Sequence, residues 1–306
     1  MEKPNIVLIT TDTQRCDTLR CMGNPHAVSP HIDRLAQEGV LFTQAHTASP
    51  VCSPARCSLL TGVHTPIHGC IENGIRRRED LIVFPDLLKE HGYTNIMVGK
   101  THFGPVPASF DVQHIVAEKN ADVDDCYARF IRRHGYPRVT SHPNPVPEHL
   151  FMDAFLADTT IAEIERAASM GKGPFFAYCS MVSPHGPFDP PGEWAHLYDG
   201  RPLPEINYMT GELAAHPAHL KRLLGLNGKE SRKRAAGEFR SPEDPAFRQK
   251  ADELRRLYYG LAAYCDAQVG KIIDFLDRAG LRRNTLVIFS SDHGQQFFDH
   301  GFNDKH

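Results

Sequence analysis

The sequence has one tryptophan, no C-x-x-C pair among its eight cysteines, no apolar run long enough to span a bilayer, and no large excess of either charge. Each shortage excludes something. Without C-x-x-C spacing a zinc or iron–sulfur framework has little support, and the thiols read as reduced, as in a cytoplasmic protein. A formal net charge of −3 argues against a general nucleic-acid binder, which needs a basic excess to displace counterions. The locally basic stretch 221–240 reads as solvated surface. Met1-Glu2-Lys3-Pro4 leads straight into an apolar strand, without the basic start and long apolar stretch of a leader. The expectation is therefore a cytoplasmic chain with no membrane contact. No internal repeat or low-complexity tract interrupts it.

What is present suits a large core: 306 residues, 41% of them hydrophobic, enough for one large domain or two modest ones. Residues 5–10, 95–99, 175–179 and 285–290 are short continuous apolar runs, the pattern of strands buried on both faces. Between them lie helical stretches at 29–39, 84–90 and 152–168, and a long one at 245–278. In the long one, Leu254, Leu257, Tyr258, Leu261, Cys265, Val269, Ile272 and Leu276 recur at helical spacing and read as core packing. Strands alternating with helices predict an α/β fold, a mostly parallel central sheet sandwiched by helices. Residues 104–147 and 187–242 break the rhythm. Their proline, histidine and charge suit loops over an active site.

Ligands of open α/β sheets sit beyond the carboxyl ends of the strands. All four predicted strands end in polar residues: Thr11-Asp12-Thr13-Gln14-Arg15, Lys100-Thr101-His102, Ser183-Pro184-His185 and Ser290-Ser291-Asp292-His293. Lys100 and His102, two apart, would project from one face of an extended backbone, able to bind an anion and move a proton. Asp12 and Asp292 at neighbouring strand ends would repel unless a cation sits between them, and a hard divalent metal answers that economically. A further helix is predicted over 53–62, with Ser53 as its N-cap, Pro54 at the first position and Gly62 as the stop. That sets Cys52 beside a positive helix end, with Arg56 one turn on: an arrangement for handling an oxyanion.

Cys52-Ser53-Pro54-Ala55-Arg56 resembles the C-x-P-x-R signature of type I sulfatases, members of the alkaline-phosphatase-like superfamily. Other segments are similar in the same order: residues 4–9 leading to Asp12, then Gly99-Lys100-Thr101-His102-Phe103-Gly104, Pro184-His185-Gly186-Pro187-Phe188, Ser291-Asp292-His293-Gly294, and 300–305 ending in Lys305. The resemblance implies that Cys52 is oxidised to formylglycine by a maturation enzyme, and that its hydrate attacks the sulfur of a sulfate ester. Asp12, Cys52 (as the diol), Asp292 and His293 would hold a divalent metal, calcium first, with manganese or magnesium as alternatives. Arg56, Lys100, His185 and Lys305 would balance charge, and His102 would be the base. The implied substrate is an aryl, alkyl or sugar sulfate.

Two positions depart from the usual family pattern. Thr13 stands where many members carry a second aspartate, leaving Gln14 as a substitute ligand, and His293 stands where asparagine is frequent. Both changes resemble phosphonate monoester hydrolases, the alternative reading. An inactive truncated relative and a thiol redox protein are the further ones. The expectation for organisation is a single sulfatase catalytic domain over residues 1–306, its N-terminal portion, because family members normally continue with further strands and a C-terminal subdomain.

Overall fold

The computed structural model describes residues 3–117, 125–138, 144–223 and 243–305. Five strands, β1 (Asn5–Thr11), β2 (Thr94–Lys100), β3 (Val112–Val116), β4 (Phe175–Ser180) and β5 (Thr285–Ser291), form one sheet in the order β3-β2-β4-β1-β5. Every pairing is parallel. Parallel neighbours need crossover connections, and the helices supply them: α1 (Pro30–Glu38), α2 (Cys52–Thr61), α3 (Thr65–His68), α4 (Phe84–Glu90), α5 (Cys126–Arg133), α6 (Met152–Met170), α7 (Glu212–Ala215), α8 (Ala218–Leu223) and α9 (Pro245–Arg278).

Side chains alternate across a strand, so each apolar run feeds two cores. Val7, Ile9, Ile96, Val98, Ala177 and Cys179 face one way, packing with Leu156 and Ile164 of α6 and Val269, Ile272 and Leu276 of α9. Leu8, Met97, Phe176 and Tyr178 face the other way, packing with Cys57 and Leu60 of α2 and Val83 before α4. The result is the expected sandwich. Its register pairs Thr10 with Ser180 and Thr11 with Ser291, bringing the carboxyl ends of β1, β4 and β5 together.

The long helix and α4 have the expected bounds, and α1 starts with Pro30 at its first position after Ser29. Four expectations need correction. The helix carrying Cys52 begins at Cys52 itself, with Val51 as N-cap, so Ser53 and Pro54 lie inside its first turn. Pro54 is tolerated there because first-turn N–H groups have no helical partner. Gly62 ends the helix as expected, in the left-handed region. Second, β5 is an edge strand whose outward Leu286 and Ile288 are exposed, so it is covered on one face only. Third, the 104–147 stretch contains β3 and α5, a strand and a helix read as loop. The short, polar Val-Gln-His-Ile-Val hides the alternation of β3, while α5 is announced only by Asp125, whose carboxylate accepts from the N–H of Ala128 at 2.7 Å. Fourth, the backbone is not extended through His102: β2 stops at Lys100, and His102 has φ 51°.

The basic stretch 221–240 lies outside the described residues, apart from the backbone of its first three. Among the described residues no helix is long and apolar enough to cross a membrane.

Gly99 shows how closely the sheet is built under the site. At φ +113°, its substitution by alanine would put a Cβ 1.9 Å from the carbonyl oxygen of Ser180 on β4. Backbone cannot yield as a flexible side chain can. Gly99→Ala is expected to cost at least about 3 kcal/mol from overpacking and left-handed strain, read as a lowered urea midpoint. An unchanged midpoint would contradict this packing.

Candidate active site

Cys52 occupies the first position of α2, fully buried, where the helix's positive end favours an anion. Around its Sγ stand Lys305 Nζ at 3.0 Å, His293 Nε2 at 3.2 Å and Asp12 Oδ1 at 3.6 Å. Burial alone would push this thiol up. Hydrogen bonds with His102, His185 and His293 outweigh that and bring it down to about 3.

Beneath the sulfur lies a buried charge network. The cation between Asp12 and Asp292 is a guanidinium: Arg56 donates from Nη2 to Asp12 Oδ2 at 3.1 Å and from Nε to Asp292 Oδ2 at 2.9 Å. Its Nη1 reaches Ser180 Oγ at 2.6 Å. Lys100 Nζ pairs with the same Asp12 oxygen. Arg56 therefore faces the sheet ends, and its charge reaches the sulfur through the two carboxylates. Burial opposes ionisation of Asp12, but Lys100 and Arg56 hold it well below the usual carboxylate range. Burial and the charge of Asp12 push Asp292 up.

Asp12 Oδ1 lies 3.6 Å from the thiol, whereas Asp292 Oδ1 accepts backbone N–H groups from Thr13 and His293 at 3.0 and 2.8 Å. His293 Nδ1 lies 2.8 Å from the carbonyl of Gly294, which fixes a proton there and turns Nε2 toward Cys52. Metal-binding histidines are held in this way. Burial works against a charged His293, but the Cys52 hydrogen bond and the Asp292 charge raise its pKa. One ligand atom each from Asp12, Cys52, Asp292 and His293 lies within 4.8 Å of the others, all four residues buried. With a thiolate or oxyanion at position 52, its contact with Asp12 Oδ1 is repulsive, the force that a divalent cation relieves. The donor set of carboxylate oxygens and one imidazole fits such an ion.

Gln14 does not join this cluster. Its Nε2 donates to Thr18 Oγ1 at 2.9 Å, and its buried Oε1 has no hydrogen-bond partner among the described residues. Thr13 turns in the left-handed region, φ 60°, and contributes its backbone N–H to Asp292.

His185 completes the group. Its Nδ1 lies 2.7 Å from the Gly186 carbonyl, so Nε2 accepts from Lys305 Nζ at 2.9 Å. The structure thus brings together all nine residues singled out from the sequence. It adds others that sequence reasoning missed because they act through tertiary contacts. Asn73 Oδ1 accepts the N–H of Ser53, Thr47 donates to the Asp292 carbonyl at 2.7 Å, and Asp153 accepts N–H bonds from Val182 and Ser183 on the His185 loop. Only Asn73, in an Asn-Gly turn, leaves a local trace.

A sulfatase family model matches residues 4–306. The chain belongs to the sulfatase family. It is 30% identical to an iduronate 2-sulfatase of Mus musculus, over 97% of this chain and 55% of that one. To an arylsulfatase of Clostridium perfringens it is 26% identical over 98% of this chain and 65% of the relative. The sulfatase fold is also evident against the phosphonate monoester hydrolase of Agrobacterium radiobacter, with a TM-score of 0.83 and 26% identity, covering 99% of this chain and 65% of that structure. The chain thus spans between about half and two thirds of these relatives.

Proposed function

We propose that this chain is a sulfatase catalytic domain, the N-terminal portion of a sulfuric ester hydrolase that cleaves an aryl, alkyl or sugar sulfate. The observation that carries the reading is Cys52 at the start of α2, with Lys305, His293 and Asp12 converging on its sulfur. Conversion of Cys52 to formylglycine by a generating enzyme supplies a hydrated aldehyde as nucleophile, with a second hydroxyl for releasing sulfate. A divalent cation held by Asp12, Asp292, His293 and the modified residue 52, calcium by preference over manganese or magnesium, supplies charge that acidifies the nucleophile and offsets the sulfate oxygens.

The remaining work falls to the chain's own side chains. Lys305, hydrogen-bonded to His185, meets negative charge on the ester oxygens and leaving group. Lys100 and Arg56 keep Asp12 ionised beneath the nucleophile. His102, hydrogen-bonded to residue 52, takes the proton as sulfate leaves. All eight cysteines are free, which suits a reducing compartment such as the cytoplasm.

The test is peptide mass spectrometry of the Cys52 segment after co-expression with a formylglycine-generating enzyme, followed by paired rates on an aryl sulfate and an aryl phosphonate. Aldehyde or its hydrate, with the sulfate ester preferred, is expected. Only thiol, with the maturation enzyme active on a control peptide, would leave an inactive relative or a thiol protein. A phosphonate preference would favour the second reading, a phosphonate monoester or phosphodiester hydrolase with the same nucleophile. Thr13 in place of a second acid, and the fold similarity to a phosphonate monoester hydrolase, speak for that one.

A further inference from the structure

Lys305 reaches Cys52 from a loop that does not hold its shape by local preference. Between Gly294 and Lys305, three non-glycine residues sit in the left-handed region: Phe297 at φ 48°, Phe298 at 74° and His300 at 54°. Each costs free energy and persists only where surroundings over-determine it. Two aromatics supply part of that restraint. Phe297 and Phe298 are buried, the first packed against Tyr258 of α9 with ring centroids 4.4 Å apart.

The 207–216 segment holds a second part, with the N–H of His300 donating to the Asn207 carbonyl at 2.7 Å and that of Asn207 to Asp299 Oδ1 at 2.9 Å, and a third comes from Arg15, three residues beyond Asp12. All five of its guanidinium hydrogens are used. Nε and Nη2 grip Asp17 at 2.9 and 2.8 Å, Nη1 donates to the carbonyls of Gln295 and Gln296 at 2.7 and 2.8 Å, and Nη2 also donates to Asp299 Oδ2 at 2.8 Å. From there the path to Lys305 is short. The N–H of Gln296 donates to the carbonyl of Asp304 at 3.3 Å, and Gln295 Nε2 to that of Asn303 at 3.1 Å. Arg15 is itself fixed at its backbone: the Tyr258 hydroxyl accepts its N–H at 2.8 Å and donates to the carbonyl of Thr13 at 2.7 Å. A rigid fork is needed to serve three loop acceptors and Asp17 together, which a lysine cannot reproduce.

We infer that Arg15 is a positioning residue: it clamps the strained 294–305 loop to the turn after β1, so that Lys305 stays on the nucleophile. The guanidinium makes no contact with Cys52, so it acts through Lys305. This rests on the proposed sulfuric-ester reading only in its kinetic part, and the test separates the two.

In Arg15→Met, hydrogen exchange followed by mass spectrometry should quicken about tenfold or more in peptides covering 294–305, with β1 and β4 unchanged. With an aryl sulfate, Lys305→Met should slow turnover about a hundredfold. Arg15→Met should approach that loss, and the double variant should be no slower than Lys305→Met alone, the non-additivity of residues acting as one unit. Arg15→Lys should fail to restore either reading. If Arg15→Met does not fold, Asp299→Asn weakens the same clamp from the loop side and should show the same local exchange. Unchanged loop exchange in either folded variant, or losses that multiply in the double variant, would overturn the inference. If the matured wild type turns over no ester, the sulfuric-ester reading fails, and loop exchange alone decides the clamp.

Discussion

Cys52→Ala, expressed with the maturation enzyme, is expected to lower turnover of an aryl sulfate by about 10⁴- to 10⁶-fold, the scale seen when a covalent nucleophile is removed. The reason lies in what surrounds position 52. Lys305, His293 and Asp12 converge within 3.6 Å of Sγ, and a methyl group gives none of them anything to act on. The fold should tolerate the change. The side chain is small, and the charge network under it is closed by Arg56 and Lys100 without help from the sulfur. Loss of the thiol's packing should cost on the order of 1 kcal/mol. Steady-state kinetics beside a thermal melt would decide the matter. Residual turnover within tenfold of wild type, with the fold intact, would mean that the nucleophile lies elsewhere.

Much of this arrangement was legible before any coordinates. Buried parallel strands are continuous apolar runs, and polar residues just past their ends stand out because a core has no other use for them. That is why Asp12, Lys100, His185 and Asp292 can be placed on one edge from sequence, and the registers of β1 with β4 and β5 and of β2 with β4 align the strand ends they follow. The first turn of α2 starts two residues earlier than the sequence suggests, because Ser-Pro looks like a cap followed by N1. Here Ser53 instead gives its N–H to Asn73, a partner twenty residues away. β5 looks buried on both faces in the sequence because Leu-Val-Ile-Phe says nothing about which strand is last in the sheet. In the sequence Arg15 is one more polar residue at a strand end. Its clamp exists only once the chain has returned from α9 through β5 to the 294–305 loop.

The cation between Asp12 and Asp292 was anticipated as a need, with a metal as the economical answer, yet the structure also answers it with the chain's own guanidinium. This makes Arg56 a stability determinant with a calculable sign. Arg56→Met is expected to destabilise the fold by about 3–5 kcal/mol at neutral pH, the cost of breaking a buried ion pair from one side. Its guanidinium is buried between two carboxylates that are themselves buried, and Lys100 remains as a partner of Asp12. The pH dependence follows from linkage. In the wild type Asp12 is held well below its ordinary value and stays ionised down to low pH, whereas Asp292 is already pushed up. Without Arg56 both values rise, Asp292 further above its unfolded value and Asp12 from its lowered one, so the folded variant holds more protons than the folded wild type and loses stability against it as pH rises through those values. The deficit against wild type should therefore be largest near neutrality and shrink on acidification. Urea midpoints at two pH values would show it, and millimolar calcium should recover part of the loss if a divalent ion shares those carboxylates. A variant within 1 kcal/mol of wild type at neutral pH, an allowance about the size of the median surface ion pair, would mean that the two aspartates relax into water. Arg56→Lys is no substitute, because one ammonium cannot span both carboxylates and Ser180 as the fork does.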